Sequence, residues 1–263
     1  MADISKGETT SVLTVFLLMF VCSLIIPNLP LEDPLTISLE SRFSPPSLEH
    51  FLGTDELGRD ILSRVLHGAA TTLQVSLFAL ISSLCIGIFM GAVSGYFYKT
   101  WVDDAFNWIV SLIFSLPFLL ILVAFLSLME SSLFNAYLVL TAVMWVNPAR
   151  IVRAEVIRTR NLLYVTVFKA YGASEIKILT YAVLPACMRS AVIFSLGYFP
   201  EIIGLEAGLS FLGLGVQPPN PGLGKMIFDG LDYLYSAWWL PIVPAALLGL
   251  IVFLINRSSR IWE

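Results

Sequence analysis

Long apolar runs separated by short polar segments dominate the pattern of this chain. Each run is close to the ~20 residues that an α-helix needs to cross about 30 Å of hydrocarbon. None of the runs alternates polar and apolar residues as a membrane barrel strand does, and backbone groups in lipid must be satisfied within the segment, so helices are predicted. The pattern predicts six spans: Ser11–Ile26, Thr72–Phe97, Asp104–Leu128, Leu133–Val152, Ala191–Leu214 and Trp238–Asn256.

Composition supports a membrane protein, because 57% of the residues are hydrophobic and only 13% are charged, against about 25% charged in soluble domains. No basic stripe with interleaved aromatic residues is present, which excludes a nucleic-acid partner. Cys22, Cys85 and Cys187 show no CxxC spacing, so free cysteines are expected. The first apolar run lacks a small-residue cleavage site and is interpreted as a retained helix.

The distribution of Lys and Arg predicts the orientation, since these residues collect in cytoplasmic loops. With the N-terminus inside, all but four of the 15 Lys and Arg residues fall on the inner side. The four on the outer side are Arg42, Arg59, Arg64 and Lys225. Both termini are therefore predicted to be cytoplasmic.

The inner loop from Arg150 to Ser190 is too long and too patterned to be a plain linker. Gly172 ends a first helical pattern, Ser174 is a candidate N-cap, and Glu175 suits the first turn that follows. The pattern predicts a helix, a turn and a short helix. Two interpretations stay open: an amphipathic segment on the anionic inner leaflet, or a docking surface for a soluble partner.

The outer loop, residues 27–71, contains a second amphipathic element, in which Thr54 is a candidate cap. Its charged residues either line an outer vestibule and meet a substrate-binding protein, or only pair with one another at the membrane surface. These residues are Asp55, Arg59, Asp60 and Arg64. His50 and His67 lack metal-ligand spacing to each other or to cysteine, so no metal site is predicted.

Two carboxylates, Glu201 and Glu206, interrupt the later spans, where charge is unfavourable and indicates a pathway or a buried polar pair. Five residues apart on one helix, they point about 140° away from each other, which argues against a single site. For Glu206 a hydrogen bond to a neighbouring helix or to a partner is favoured over substrate contact. Asn147, Arg150 and Trp145 are candidates to line a cavity.

Three segments together resemble a known family. Residues 164–178, continuing to Leu184-Pro185, resemble the cytoplasmic loop of ABC importer permeases, in which Glu-Ala-Ala precedes a Gly, an Ile and a Pro at fixed spacing. Residues 50–64 and 206–219 resemble signatures of the C-type permease subunit of dipeptide, oligopeptide and nickel systems. The resemblance runs in one order from Phe51 to Asn256.

The resemblance implies an all-α membrane protein with six transmembrane helices in a type I (MetI-like) importer bundle. It implies an N-terminal helix with an outer loop (1–70), a permease domain (71–257) and a short cytoplasmic tail (258–263). A coupling loop, residues 163–185, would contact an ATPase. Its implied contact residues are Thr166, Ala170, Gly172, Ala173, Ser174, Glu175, Ile178 and Pro185.

The implied function is half of an ATP-driven import pathway for small peptides or a nickel chelate across a bacterial or archaeal plasma membrane. A second homologous permease, two ATP-binding subunits and an extracytoplasmic binding protein are the implied partners. The chain itself is expected to be no enzyme and to bind no cofactor, with ATP and Mg²⁺ on the partners. Residues 219–226, the nearest approach to GxxxxGK[ST], lack its first Gly and its final Ser or Thr.

Some positions depart from the family pattern. Thr166-Val167-Phe168 stand in place of Glu-Ala-Ala, which removes a carboxylate from the coupling loop, and Ala70 and Leu223 replace a usual Arg and Trp. The spans and turn residues are retained, so the chain is interpreted as a divergent but intact member. The alternatives are an ATP-independent secondary transporter or channel, which predicts inverted repeats that we do not find, and a membrane scaffold.

Overall fold

The computed structural model describes residues 2–129 and 132–259, with side chains for 14–129 and 132–258. These residues form helices and connecting turns, and no β-strand occurs among them. The α-helices are α1 (Ala2–Ile25), α2 (Ile61–Tyr96), α3 (Trp101–Phe114), α4 (Phe118–Ser127), α5 (Leu133–Met144), α6 (Val146–Thr159), α7 (Leu163–Ala170), α8 (Glu175–Lys177), α9 (Leu184–Phe211), α10 (Leu223–Gly230) and α11 (Trp239–Ser259). A π-helical segment, Ile178–Val183, joins α8 to α9.

Three helical segments are long and apolar enough to cross a membrane: Ile61–Tyr96, Glu175–Phe211 and Trp239–Ser258. A fourth candidate is the pair α3 and α4, which is bent by 84° at the break before Phe118. The first predicted span corresponds to a shorter apolar helix, Thr14–Asn28. The described residues thus confirm the helical class and three to four spans, rather than six continuous ones. Residues 260–263 of the expected tail lie outside the described part of the chain.

Helix α2 begins at Ile61, well before the predicted Thr72, and so absorbs the amphipathic element of the outer loop. Its N-cap is Asp60, whose carboxylate accepts a hydrogen bond from the Ser63 backbone N–H at 2.8 Å. Thr54, the predicted cap, instead donates its hydroxyl hydrogen bond to the Ser41 carbonyl. The predicted boundary at residue 70 therefore lies inside one continuous helix.

The predicted span Leu133–Val152 is divided into α5 and α6 at Trp145. Pro148 explains the break, because proline lacks the N–H that would bond the Met144 carbonyl four residues earlier. The Tyr198 hydroxyl of α9 donates to that carbonyl at 2.9 Å. A neighbouring helix thus satisfies the backbone oxygen that the proline leaves free.

Helices α2 and α6 pack closely along a line of glycines at Gly87, Gly91 and Gly95. A Cβ atom placed on Gly91 would lie 2.3 Å from the Ala149 carbonyl oxygen, and one on Gly95 would lie 2.7 Å from the Arg153 carbonyl oxygen. The Cβ atoms of real side chains do not come so close to other atoms, so a larger residue would not fit at either position. Small residues at four-residue spacing allow two membrane helices to approach in this way.

An ion pair between a buried carboxylate and a half-buried arginine joins α3 to α6 and also contacts α2. Arg153 donates from Nε to Asp103 Oδ1 at 2.7 Å and from Nη2 to Oδ2 at 3.0 Å. Ser94 Oγ donates to the same carboxylate at 2.8 Å. Asp103 is buried, so its charge is stable there only because these donors surround it.

Candidate functional site

The coupling loop has the predicted order of helix, turn and short helix. Helix α7 ends at Ala170. The turn after it contains Gly172, which has a φ of 75° that favours glycine. This glycine closes the helix end. The Gly172 N–H donates to the Lys169 carbonyl, and the Ala173 N–H donates to the Phe168 carbonyl. This is the hydrogen-bond pattern of a Schellman motif. Ser174 then caps α8 by accepting from the Lys177 N–H at 3.4 Å.

The loop is fixed to the bundle by its buried side chains. Val165, Ile178 and Val183 are buried in a cluster with Val152 and Val156 of α6. At the same place the Tyr164 hydroxyl donates to the Ala182 carbonyl at 3.1 Å. The turn is therefore a packed part of the bundle, attached directly to the start of α9.

The opposite side of the coupling loop is apolar and exposed. Tyr171 is 89% exposed, and Ile176 and Tyr181 are each 76% exposed. The apolar side chains of this segment thus lie on two different sides, with Val165 inside and Tyr171 outside. Of the predicted contact residues, Ile178 is buried, Ala173 is half-buried, and the rest are exposed.

Thr166 occupies the position at which the family pattern has a carboxylate. Its hydroxyl donates to the Leu162 carbonyl of its own helix at 3.5 Å. No charge replaces the missing carboxylate at this position. A partner that binds here would meet mainly apolar groups, with Lys169, Glu175 and Lys177 nearby.

A cavity of about 670 Å³ lies between α3, α6 and α9. Its wall is partly aromatic and aliphatic, with Phe106, Val110 and Phe194 among the lining residues. The polar part of its wall consists of Asn107, Asn147, Arg150, Arg153, Tyr198 and Glu201. This size and this mixture are typical of sites that accept a small polar ligand.

The structure brings Asn147, Arg150 and Glu201 together in this cavity, although they are distant in sequence. Trp145 does not line it. The Trp145 ring packs against Phe106, and its indole N–H donates to the Ala142 carbonyl at 3.0 Å. Its role is to fill the break between α5 and α6.

Glu206 lies away from the cavity and is buried. Its Oε1 accepts from the Ser210 hydroxyl at 2.8 Å, and the Ser210 oxygen accepts from the Val216 N–H at 3.2 Å. These bonds fix the turn after α9. Glu206 also faces the Thr72 hydroxyl of the neighbouring helix α2, and its predicted hydrogen bond to a neighbouring helix or to a partner stays a prediction.

The charged residues of the outer loop are held by Asp55. Arg59 Nε lies 2.6 Å from Asp55 Oδ2, and Arg64 Nε lies 3.4 Å from the same oxygen. Asp60 pairs with neither arginine in the described structure and lies 3.2 Å from His50 Nδ1. The arrangement favours the interpretation that these charges pair with one another, with Asp55 at the centre.

Glu32, His50 and Asp60 place one ligand atom each within 4.8 Å of the others. Such a set is able to hold a divalent cation, and the histidine spacing considered in the sequence did not indicate it. Asp60 already caps α2 and pairs with His50. The cluster is therefore explained by structural contacts.

Asp103, Arg153 and Tyr198 matter to the cavity and were missed in the sequence. Arg153 and Tyr198 line the cavity, and Asp103 neutralises Arg153. The available signals in the sequence were Asp103, just before one apolar run, and Arg153, just after the end of a later one. Pairing them required knowledge of which helices are neighbours.

Comparisons with known proteins agree on one family. The model of the binding-protein-dependent transport system inner membrane component matches residues 83–260. The dipeptide transport system permease protein DppC of Bacillus subtilis is 35% identical over 245 residues, covering 93% of this chain and 76% of the relative. The di/tripeptide transport system permease protein DppC of Pseudomonas aeruginosa is 34% identical, covering 96% and 84%.

A solved structure, the crystal structure of an amino acid ABC transporter with histidines, has the same fold. It gives a TM-score of 0.60 at 16% identity, and the match covers 77% of this chain and 94% of the other. The family match extends over the coupling loop, the cavity helices α3, α6 and α9, and all of α11. The chain belongs to the family of binding-protein-dependent transport system inner membrane components.

Proposed function

We propose that the chain is a permease subunit of an ATP-driven importer of short peptides. Together with a second, homologous permease it forms the pathway through the plasma membrane, with both termini in the cytoplasm. The names of the relatives, which are dipeptide and di/tripeptide permeases, favour peptides over a nickel chelate as cargo.

The observation that carries this proposal is the exposed apolar side of the coupling loop. Tyr171, Ile176 and Tyr181 project from a turn whose other side is packed in the bundle. Exposed apolar side chains on a fixed surface favour a protein partner that covers them. The partner that fits is an ATPase subunit with an apolar groove, one for each permease.

The loop is also placed to transmit movement. Ile178 is buried at the start of the π-helical segment, and the helix continues without a break into α9, which lines the cavity. A displacement of the coupling loop by an ATPase would move the cavity wall as a rigid helix. ATP and Mg²⁺ would be bound by the ATPases, while an external binding protein would deliver cargo to the outer loop.

The test is copurification from the native membrane in mild detergent. The wild-type chain is expected to bring down two ATPase chains and a second permease. The double variant Tyr171→Asp/Ile176→Asp is expected to lose the ATPases and retain the second permease. Tyr235→Asp is the matched control, because Tyr235 is equally exposed and lies in the outer segment between α10 and α11.

Two results would contradict the proposal. Recovery of the wild-type chain alone, or as a homo-oligomer, under conditions that keep a known ABC complex intact would favour an ATP-independent secondary transporter. Full retention of the ATPases by the Tyr171→Asp/Ile176→Asp variant would show that the coupling loop is not the docking surface.

A further inference from the structure

The cavity contains one positive and one negative side chain that have no ionic partner within the described part of the chain. Arg153 is neutralised, because its guanidinium pairs with Asp103 at 2.7 Å. Neither Arg150 nor Glu201 forms an ion pair with any residue that the structure describes. The cavity thus presents separate, opposite charges.

Both charges are available to a ligand. The Arg150 guanidinium carbon lies 5.1 Å from the centroid of the Phe114 ring, a contact with the aromatic face that leaves the N–H groups at the edge of the guanidinium free. Glu201 is exposed to the cavity in the middle of the apolar helix α9. An ionisable group at such a position is unfavourable in lipid and points to a pathway function.

The spacing of the two charges can be derived from the helices. Asn147 Nδ2 lies 3.5 Å from the Tyr198 hydroxyl, which sets these residues at one level. Helix α6 leads into the coupling loop and α9 leads out of it, so they run in opposite directions. Arg150 and Glu201 each lie three residues from that level, on opposite sides, which separates their backbone positions along the helix axes by roughly 9 Å at 1.5 Å per residue.

We propose that the cavity binds a zwitterionic di- or tripeptide during passage, with Glu201 receiving the N-terminal ammonium group and Arg150 the C-terminal carboxylate. At about 3.3–3.6 Å per extended residue, a peptide of two or three residues spans roughly 7–11 Å, which is similar to the axial separation of the two residues that carry the charges. Side chains would occupy the remaining volume. This inference rests on the proposed function and adds a specificity site within the membrane.

The experiment measures binding of dialanine to the detergent-purified complex without its binding protein, by equilibrium dialysis of labelled peptide. N-acetyl-dialanine and dialanine amide serve as probes that each lack one terminal charge. Arg150→Met is expected to weaken binding of dialanine about tenfold or more, because a hydrogen bond to a charged group is lost, and to leave binding of dialanine amide unchanged. Glu201→Gln is expected to weaken the binding of dialanine to a similar extent and to leave the binding of N-acetyl-dialanine unchanged.

Arg158→Met is the control for α6, since Arg158 is exposed outside the cavity and pairs only with Glu155 among the described residues. The inference is overturned if both cavity variants bind dialanine as tightly as the wild type. It is also overturned if the variants lose affinity equally for dialanine and for its two blocked forms. ATP-driven dialanine uptake by the wild-type complex is measured in parallel. If the wild-type complex takes up dialanine with ATP, and both variants bind dialanine as tightly as the wild type, only this inference is overturned. If the wild-type complex shows no ATP-driven uptake, the proposed function is overturned.

Discussion

The hydroxyl of Tyr198 donates a hydrogen bond to the carbonyl oxygen of Met144 at 2.9 Å. That carbonyl is free because Pro148, four residues later, has no N–H. The bond joins α9, which is continuous with the coupling loop, to the break between α5 and α6. It also holds the Tyr198 ring at the cavity wall, beside Asn147. One contact therefore connects α9, the helix that the proposed ATPase would move, to the opposite wall of the cavity.

Replacing Tyr198 by Phe should destabilise the bundle by about 1 kcal/mol, since a buried carbonyl then lacks its donor. The expected fall in melting temperature is about 2–4 °C, measured by tryptophan fluorescence in detergent. Tyr137→Phe is the control, because the Tyr137 hydroxyl forms no hydrogen bond with the described residues.

The same substitution in a Pro148→Ala background isolates the cause. Alanine restores the N–H that can bond Met144, so Tyr198→Phe should have a smaller effect there. Equal losses in both backgrounds would mean that the hydroxyl does not act through this carbonyl.

Gly91→Ala should lower both the yield and the melting temperature of the folded chain. The added Cβ would lie 2.3 Å from the Ala149 carbonyl oxygen, so α2 and α6 must separate, which costs about 1–3 kcal/mol. Gly249→Ala is the control, since nothing lies within 4 Å of its Cβ position and alanine favours the helix. A Gly91→Ala chain as stable as the wild type would show that the two helices are not in close contact.

Asp103→Asn should be destabilising, by about 1–3 kcal/mol, because it leaves the half-buried Arg153 charge without its carboxylate. Thermal unfolding of the purified chain measures this loss, and the exposed neighbouring Asp104→Asn provides the comparison. The double variant Asp103→Asn/Arg153→Met should recover part of the stability, as it removes the unpaired charge. If the double variant is no more stable than Asp103→Asn, the unpaired charge of Arg153 is not the cause of the lost stability.

Asp55→Asn should loosen the outer loop while leaving the ATPase partners bound. Arg59 and Arg64 then lack the carboxylate between them and repel each other. We expect faster cleavage of the loop by protease added from outside, with Glu49→Gln, an exposed residue of the same loop, as control. Unaltered cleavage would indicate that Asp55 does not hold the loop together.

Several features were predictable from sequence because their causes are local. Gly172 and Ser174 end one helix and begin the next through their own backbone preferences, and the structure has the predicted turn there. The family was recognisable because its residues occur in a fixed order along the chain. The length of α2 was underestimated, because the amphipathic element of the outer loop continues into the apolar run as one helix that Asp60 caps.

Features that depend on contacts between helices were not predictable. The break at Trp145 needed both Pro148 and a donor from α9, and the Asp103–Arg153 pair joins residues 50 positions apart. The sequence identified Glu201 and Arg150 individually but did not place them in one cavity. Helical periodicity gives the side of a helix on which a residue lies, whereas the neighbouring helix follows only from the packing.

ATPases bound at the coupling loop are proposed to move this chain in order to import short peptides. The most direct measurement is uptake of labelled dialanine by proteoliposomes that contain the complex purified through this chain, with its binding protein outside the vesicles and its ATPase side, supplied with ATP, inside. We expect dialanine to accumulate only with internal ATP, and not at all with the Tyr171→Asp/Ile176→Asp variant. Accumulation driven by an ion gradient in the absence of ATP would contradict it.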